Sequence, residues 1–570
     1  MRSAEKHGGL AASVQRWFRR TASPSASLPA HDPFARDNLP PREQWPVFLL
    51  GPDLDYGPRL NAVSELLDRH IREGNGSRPA IIDQRTGETW TFADLQQRVN
   101  RIANVLTRQL GLVPGGRVLL RSANNAMMAA AYLAVLKAGG VVVATMPLLR
   151  AKELTHIVRK AKIALALCDS RLADEMEKTR ALEPALARVV YWNRPGADGL
   201  EGMMATAGAE FTAADTAADD VCLIGFTSGT TGEPKGTMHV HRDLLATCDT
   251  YGRHVLKPRA TDIFTGSPPL AFTFGLGGLL LFPFRVGAAT LLLEKTGPDD
   301  IVAALRTWKP TVLFTAPTAY RVLAGRLSKE DAASLRACVS AGETLPAATW
   351  HAWHDATGLR IQDGIGATEM LHIFISSPVE GVKPGSTGTV VPGYEARIVD
   401  DEGREVPRGT LGRLAVRGPT GCRYLADPRQ TNYVRDGWNL TGDTYVQDED
   451  GYFWYQARSD DMIVASGYNI AGPEVEATLL THPAVQECGV VGQPDAERGS
   501  IVKAYVVLKP GQAPSDALTR DLQEHVKREI APYKYPRAID YVAVLPRTET
   551  GKLRRHELRE RARQEAAEQT

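Results

Sequence analysis

From about Leu60 to Ala209, apolar positions recur at helical spacing in some stretches and crowd into short β-branched runs in others. Thr91–Leu110 and Ala126–Ala138 carry the helical pattern, and Arg117–Arg121 and Gly140–Ala144 the strand pattern. Such alternation predicts βα units around a mainly parallel sheet. From Gly385 to Tyr455 the pattern shifts to short strands, Ala396–Val399 and Leu414–Arg417 among them, separated by Gly, Pro and Asp. That reads as a β-rich subdomain. Past Arg458 come a strand at Met462–Ala465, a helix start at Pro473-Glu474, strands near Gly489–Val491 and Lys503–Leu508, and a charged helix over Asp516–Glu529. These form a compact α+β unit of about a hundred residues. The closing stretch Arg554–Thr570 reads as a frayed charged helix.

The expected fold is α/β, with a large amino-terminal domain of layered, mainly parallel sheets and a small α+β carboxy-terminal domain. Its divisions are a flexible extension at 1–35, a core at 36–458 and a second domain at 459–570. A chain of 570 residues with 43% hydrophobic positions is too long for a single core. Lys and Arg (67) balance Asp and Glu (66) to a net charge of +1, so no global field recruits nucleic acid or a membrane surface. The longest apolar stretch, Leu270 to Phe284, holds three glycines and falls short of the roughly 20 residues of a spanning helix. It reads as core wall. Six widely spaced cysteines give neither a zinc pattern nor a disulfide framework, which suits a reducing, cytoplasmic setting. Arg2, Lys6, Arg16, Arg19 and Arg20 near a Ser/Pro/Ala run faintly resemble a transit peptide; a frayed extension is the plainer reading.

The apolar strand Val221–Phe226 runs into Thr227-Ser228-Gly229-Thr230-Thr231-Gly232-Glu233-Pro234-Lys235-Gly236. Glycines allow close approach, hydroxyls donate, and consecutive backbone N–H groups can form a concave anion nest, so the segment reads as a phosphate cradle with Lys235 adding a charge. The Walker spacing is absent, which counts against a P-loop kinase. His239 and His241 form an H-x-H pair with no third ligand at metal-site spacing, and read as structural or phosphate-proximal.

The cradle resembles the signature of the acyl-CoA synthetase, luciferase and peptide-synthetase adenylation-domain superfamily. Four later segments agree in order: Asp363-Gly364-Ile365-Gly366-Ala367-Thr368-Glu369, Thr441-Gly442-Asp443, Arg458-Ser459-Asp460-Asp461, and Pro546–Lys552. The resemblance implies ATP, Mg²⁺ and coenzyme A as reactants and cofactor, with Thr227, Ser228, Gly229, Thr230, Thr231, Lys235, Gly364 and Ile365 around the nucleotide. Ile365 stands where the family usually has an aromatic residue, so adenine would meet an aliphatic face. Glu369 offers Mg²⁺ a hard oxygen and Thr368 a donor to the α-phosphate. Asp443 can take both ribose hydroxyls, with Arg458 as a second contact, although a turn or cap role is the plain alternative. Lys552 can neutralise approaching carboxylate and phosphate oxygens. The resemblance further implies a mobile lid that rotates about Asp460 and exchanges Lys552 for a face carrying Gly467, where pantetheine would pass; Gly467 is otherwise a turn glycine.

Ala271, Phe272, Ser340, Ala341, Gly366, His372 and Ile373 lie in segments similar to the acid pockets of benzoate- and 2-aminobenzoate-CoA ligases, and the stretch Arg36–Pro41 followed by Trp45-Pro46 looks most like the 2-aminobenzoate-CoA ligase subgroup. Glycine floors and aromatic walls suit a single ring, while ordinary packing would also explain Phe272 and a buried His372. The activity implied is an aryl-acid:coenzyme A ligase, with 2-aminobenzoate ahead of benzoate, acting as monomer or homodimer. A stand-alone enzyme loading an aryl acid onto a carrier protein is the alternative.

Overall fold

The computed structural model describes residues 31–227, 234–458, 461–465, 468–495, 498–530, 532–548 and 551–568. Ser228, Gly229, Thr230, Thr231, Asp460 and Gly467 therefore lie outside the described residues. Two large sheets build the first part of the chain. A six-stranded sheet runs in the order Arg188–Trp192, Leu165–Asp169, Arg117–Arg121, Val141–Thr145, Val221–Thr227, Lys235–Val240. Its strands are parallel except the last, which folds back as a hairpin with Thr227 opposite Lys235. A nine-stranded sheet has a parallel centre, in which Val312–Thr315, Ala337–Ala341 and Ile361–Gly366 are neighbours, and antiparallel edges.

Helix Ala126–Lys137 packs against strands of both sheets. Nearly every residue in it is buried, which is why its sequence is apolar all round instead of striped. Helix Phe92–Asn104 beside it is amphipathic and begins at Thr91, whose hydroxyl accepts from the Asp94 N–H while the Asp94 carboxylate accepts from the Thr91 N–H. The stretch read as core wall forms short helical turns, Thr273–Leu276 through Phe282–Val286, inside the main core. Strands Glu395–Val399, Gly412–Arg417, Trp438–Gln447 and Phe453–Arg458 make the antiparallel β-rich part.

The last part of the chain forms its own core, with Val475, Leu479, Val490, Val502, Ala504, Leu522 and Val526 at its centre. Strands Val485–Asp495 and Gly499–Leu508 pair antiparallel, and Ala538–Tyr541 adds in parallel. Two expectations need correction. Helix Arg555–Glu568 is docked and not frayed: Leu558 and Ala562 are buried against strand Val485–Asp495, and Glu565 pairs with Lys503 and accepts from Tyr505. The amino-terminal extension also ends earlier than residue 35, because Asp32 pairs with Arg117 and the Arg117 guanidinium lies 4.6 Å over the Phe34 ring.

Candidate functional site

Parallel sheets present their carboxyl ends to ligands, and here Thr227, Ala341 and Gly366 end their strands around one cleft. The Thr227 hydroxyl is buried and has no partner among the described residues. Lys235 leaves the following strand and donates to the Tyr424 hydroxyl at 2.8 Å, with its ammonium 3.9 Å from Glu369. Thr368 and Glu369 sit on a single 3₁₀ turn after strand Ile361–Gly366. That turn can approach the cradle strand because residue 225 is glycine: a Cβ there would lie 3.0 Å from the Thr368 methyl. Glu369 is 7% exposed and accepts from the Tyr424 hydroxyl. The H-x-H pair is structural. His239 Nε2 lies 2.7 Å from the Thr368 carbonyl, and its Nδ1 lies 3.3 Å from Asp243, which Arg423 also grips. His241 accepts from the Ala62 N–H, and burial lowers its pKa to about 4.

Asp443 and Arg458 face each other across neighbouring strands with 3.2 Å between carboxylate and guanidinium. Burial pushes the Asp443 carboxyl up, and Arg458 draws it back. Gly442, at φ 78°, leaves room for Arg458, since a Cβ there would come within 3.0 Å of the guanidinium. Lys552 reaches the same cleft from the carboxy-terminal part. A Cβ on Gly342 would lie 3.7 Å from Lys552 Cε and 3.9 Å from Nζ. Crowding around the ammonium lowers its pKa, while the carboxylates of Glu343 and Asp443 oppose that. The residue itself keeps solvent access.

Deeper in the cleft, Ser340, Ala341 and Ile373 are buried, and Ala271 and Phe272 are half-buried. Ile373 packs on Gly364, where a Cβ would lie 2.8 Å away, and Gly366 lies against the His372 backbone. His372 fills space that glycine leaves at 277 and packs among Phe282, Tyr251, Phe274 and Phe314. Burial lowers its pKa to about 3, so the ring is neutral. As a neutral ring His372 carries no charge to set against a substrate carboxylate, but it can still exchange one hydrogen bond. Its Nε2 lies 3.4 Å from the Phe274 carbonyl; neither its Nδ1 nor the Tyr251 hydroxyl has a partner among the described residues.

Tyr424 escapes any reading of the sequence, while Asp363 lies within its motif without a role of its own. Tyr424, 55 positions from Glu369, belongs to no motif spacing, and only tertiary contact reveals it. Asp363 stands two positions before Ile365 on the same strand face, and burial pushes its carboxyl up to about 8 against the pull of Ser340 and the Gly364 N–H.

Residues 67–424 match the AMP-binding enzyme family, and residues 474–552 match the AMP-binding enzyme C-terminal domain. Benzoate–CoA ligase of Thauera aromatica is 37% identical over 514 residues, spanning 89% of this chain and 97% of that protein. The 4-hydroxybenzoate–CoA/benzoate–CoA ligase of Rhodopseudomonas palustris is 33% identical, over 88% of this chain and 94% of the relative. Among solved structures, an anthranilate CoA ligase in complex with anthranoyl-AMP superposes with a TM-score of 0.86 at 36% identity, covering 91% of this chain and 100% of that one. With the family match spanning most of the chain and these relatives spanning nearly all of it, the chain belongs to the adenylate-forming AMP-binding enzymes and is an acid–thiol ligase of the acyl-CoA synthetase type.

Proposed function

We propose that the chain is an aryl-acid:coenzyme A ligase that takes 2-aminobenzoate first and benzoate second. The single observation that carries this reading is the aromatic cluster in which His372 packs against Phe282, Tyr251 and Phe274 beside Gly366, a rigid wall that suits a flat ring better than an acyl chain. The resemblance to ligases for benzoate and anthranilate supports it. In the first half-reaction the carboxylate oxygen attacks the α-phosphorus of ATP and pyrophosphate leaves. Lys552 lies between the two anions and neutralises their repulsion. Thr227, Lys235 and Thr368 face the phosphates, and Asp443 accepts from the ribose hydroxyls. Asp363 gives the adenine amino group an acceptor beside Ile365.

A magnesium ion fits Glu369, a hard carboxylate at the cleft, and among the described residues no cluster of three ligands competes for it. Mg²⁺ is held by one or two carboxylates plus substrate phosphates, and it supplies charge neutralisation on those phosphates. In the second half-reaction the thiol of coenzyme A attacks the acyl carbonyl and AMP leaves. The core at residues up to 458 stays fixed while the lid from 459 turns about Asp460 and brings Gly467 to the pantetheine path.

The test is ATP-dependent thioester formation with 2-aminobenzoate, benzoate, 2-hydroxybenzoate, 4-aminobenzoate and a medium-chain fatty acid. The highest kcat/KM is expected for 2-aminobenzoate. A fatty acid as best substrate, or aryl-AMP that coenzyme A fails to discharge, would refute the assignment.

A further inference from the structure

The proposed metal carboxylate is held by a residue with no assigned role. Segment 423–425 runs beside strand Lys235–Val240: the Met238 N–H donates to the Arg423 carbonyl at 2.7 Å, and the Leu425 N–H to the Gly236 carbonyl at 2.8 Å. From this strap two adjacent side chains reach the two residues of the Thr368-Glu369 turn. Arg423 reaches Thr368 through Asp243 and His239, all three fully buried. Tyr424 reaches Glu369 directly.

The Tyr424 hydroxyl has one proton to give and lone pairs to accept with. Lys235 occupies the accepting side and Glu369 Oε1 the donating side, so the geometry has a single sense: ammonium to hydroxyl to carboxylate. The ring is fully buried, stands edge-on to Tyr433, and lies 4.7 Å beneath the Lys235 ammonium, so the hydroxyl cannot swing away. A carboxylate on a glutamate arm has three free torsions, and a hydrogen bond from a fixed donor removes that freedom before a ligand arrives.

We infer that Tyr424 is a positioning residue that pins one oxygen of Glu369, leaving the other oriented for the divalent cation, and that it holds Lys235 in reserve until phosphate draws the ammonium away. This rests on the assignment of Glu369 as the metal carboxylate, and the experiment separates the two.

Mn²⁺ binding to the enzyme with ATP is titrated by paramagnetic resonance in the parent, Tyr424→Phe and Glu369→Gln, together with pyrophosphate exchange and thioester formation from supplied aryl-AMP. Tyr424→Phe is expected to weaken Mn²⁺ binding roughly 10–100-fold and slow exchange to match, as for loss of one hydrogen bond to a charged group. Thioester formation from aryl-AMP should stay within about twofold. Tyr424→His keeps a ring with an N–H donor and is carried alongside in case the Phe variant does not fold; it should fall between parent and Phe. If Glu369→Gln binds Mn²⁺ like the parent, the metal assignment is wrong. If Glu369→Gln loses the ion while folded Tyr424→Phe or Tyr424→His binds it like the parent, the positioning role is wrong. Equal loss of both half-reactions in the Tyr424 variants would also overturn it.

Discussion

Asp443 and Lys552 meet in one cleft but are held in opposite ways. Asp443 lies within a sheet, is 8% exposed, and is locked to Arg458 by the register of two long strands. Lys552 sits on a small loop with bonds of its own: the Thr548 N–H donates to the Lys552 carbonyl at 2.7 Å, the Lys552 N–H donates to the Thr548 hydroxyl at 3.0 Å, and Arg547 donates to the Gly551 carbonyl at 2.6 Å. The core side is therefore organised before substrate arrives, while the lysine is rigid only relative to its own domain. A self-bonded loop can be delivered and withdrawn without being rebuilt, which is what one site serving two half-reactions requires.

The largest break in this contrast comes from Lys552→Ala. It should slow adenylation by about 10²–10³, the range for removal of a preorganised charge donor. Thioester formation from supplied aryl-AMP should survive, because the lysine is needed only while two anions approach. Pyrophosphate exchange and single-turnover thioester assays measure the two steps separately, and equal loss in both would place Lys552 among residues that merely hold the fold. Asp443→Asn comes next. A charge-assisted bond to a ribose hydroxyl is worth about 1.5–3 kcal/mol, so kcat/KM for ATP should fall roughly 10–100-fold. Unchanged ATP dependence would remove Asp443 from the nucleotide site.

Much of the core side was legible because its signals are local. Helix Asp516–Glu529 and strand Arg117–Arg121 appear with the bounds expected, since capping residues and β-branched runs act over a few positions. The segments carrying Thr368, on a 3₁₀ turn, and Asp443, on a strand, likewise coincide with short motifs. What escaped depends on chain segments far apart. Nothing near Tyr424 signals that it meets Glu369, and nothing near Gly277 signals that it makes room for His372. The final helix misled for a related reason: two small apolar positions, Leu558 and Ala562, form too thin a stripe among charges to announce docking.

Substrate choice should belong wholly to the braced side. His372→Ala is expected to change the kcat/KM ratio of 2-aminobenzoate to benzoate by about 3–10-fold, one neutral hydrogen bond's worth, whereas Lys552→Ala should leave the ranking alone. Because burial holds the His372 pKa at about 3, that ratio should be flat between about pH 6 and 9. The stability consequence has a definite sign. Both His372 and His241 have pKa values depressed by folding, so their contribution is complete above about 6.5, the unfolded value, and is lost as pH falls toward 4 and 3. Thermal melts should show a midpoint that drops on the acid side, with a shallower drop in His372→Gln. A ratio that titrates near neutral pH would mean the ring is wetter than its packing indicates.

The smallest effect should come from the seam between the two sides. Arg321, on core helix Pro317–Ala324, bonds Glu487 of the carboxy-terminal part at 2.9 Å and the Gln486 carbonyl at 3.3 Å, while Arg547 of the lysine's own loop grips the other oxygen of Glu487 at 2.7 Å. Glu487 thus links the core to the loop that carries Lys552. The side chains of Arg321 and Glu487 remain 31% and 22% exposed, so the pair is screened and worth roughly 0.2–1 kcal/mol. Arg321→Ala should slow adenylation only about two- to fivefold, and added salt should shrink the difference from the parent. The thioester step should hold steady or quicken, since the lid is freer to leave. A loss of a hundredfold would mean that Lys552 is positioned by this seam and not by its own loop, and the contrast with Asp443 would then collapse into one continuous, preorganised site.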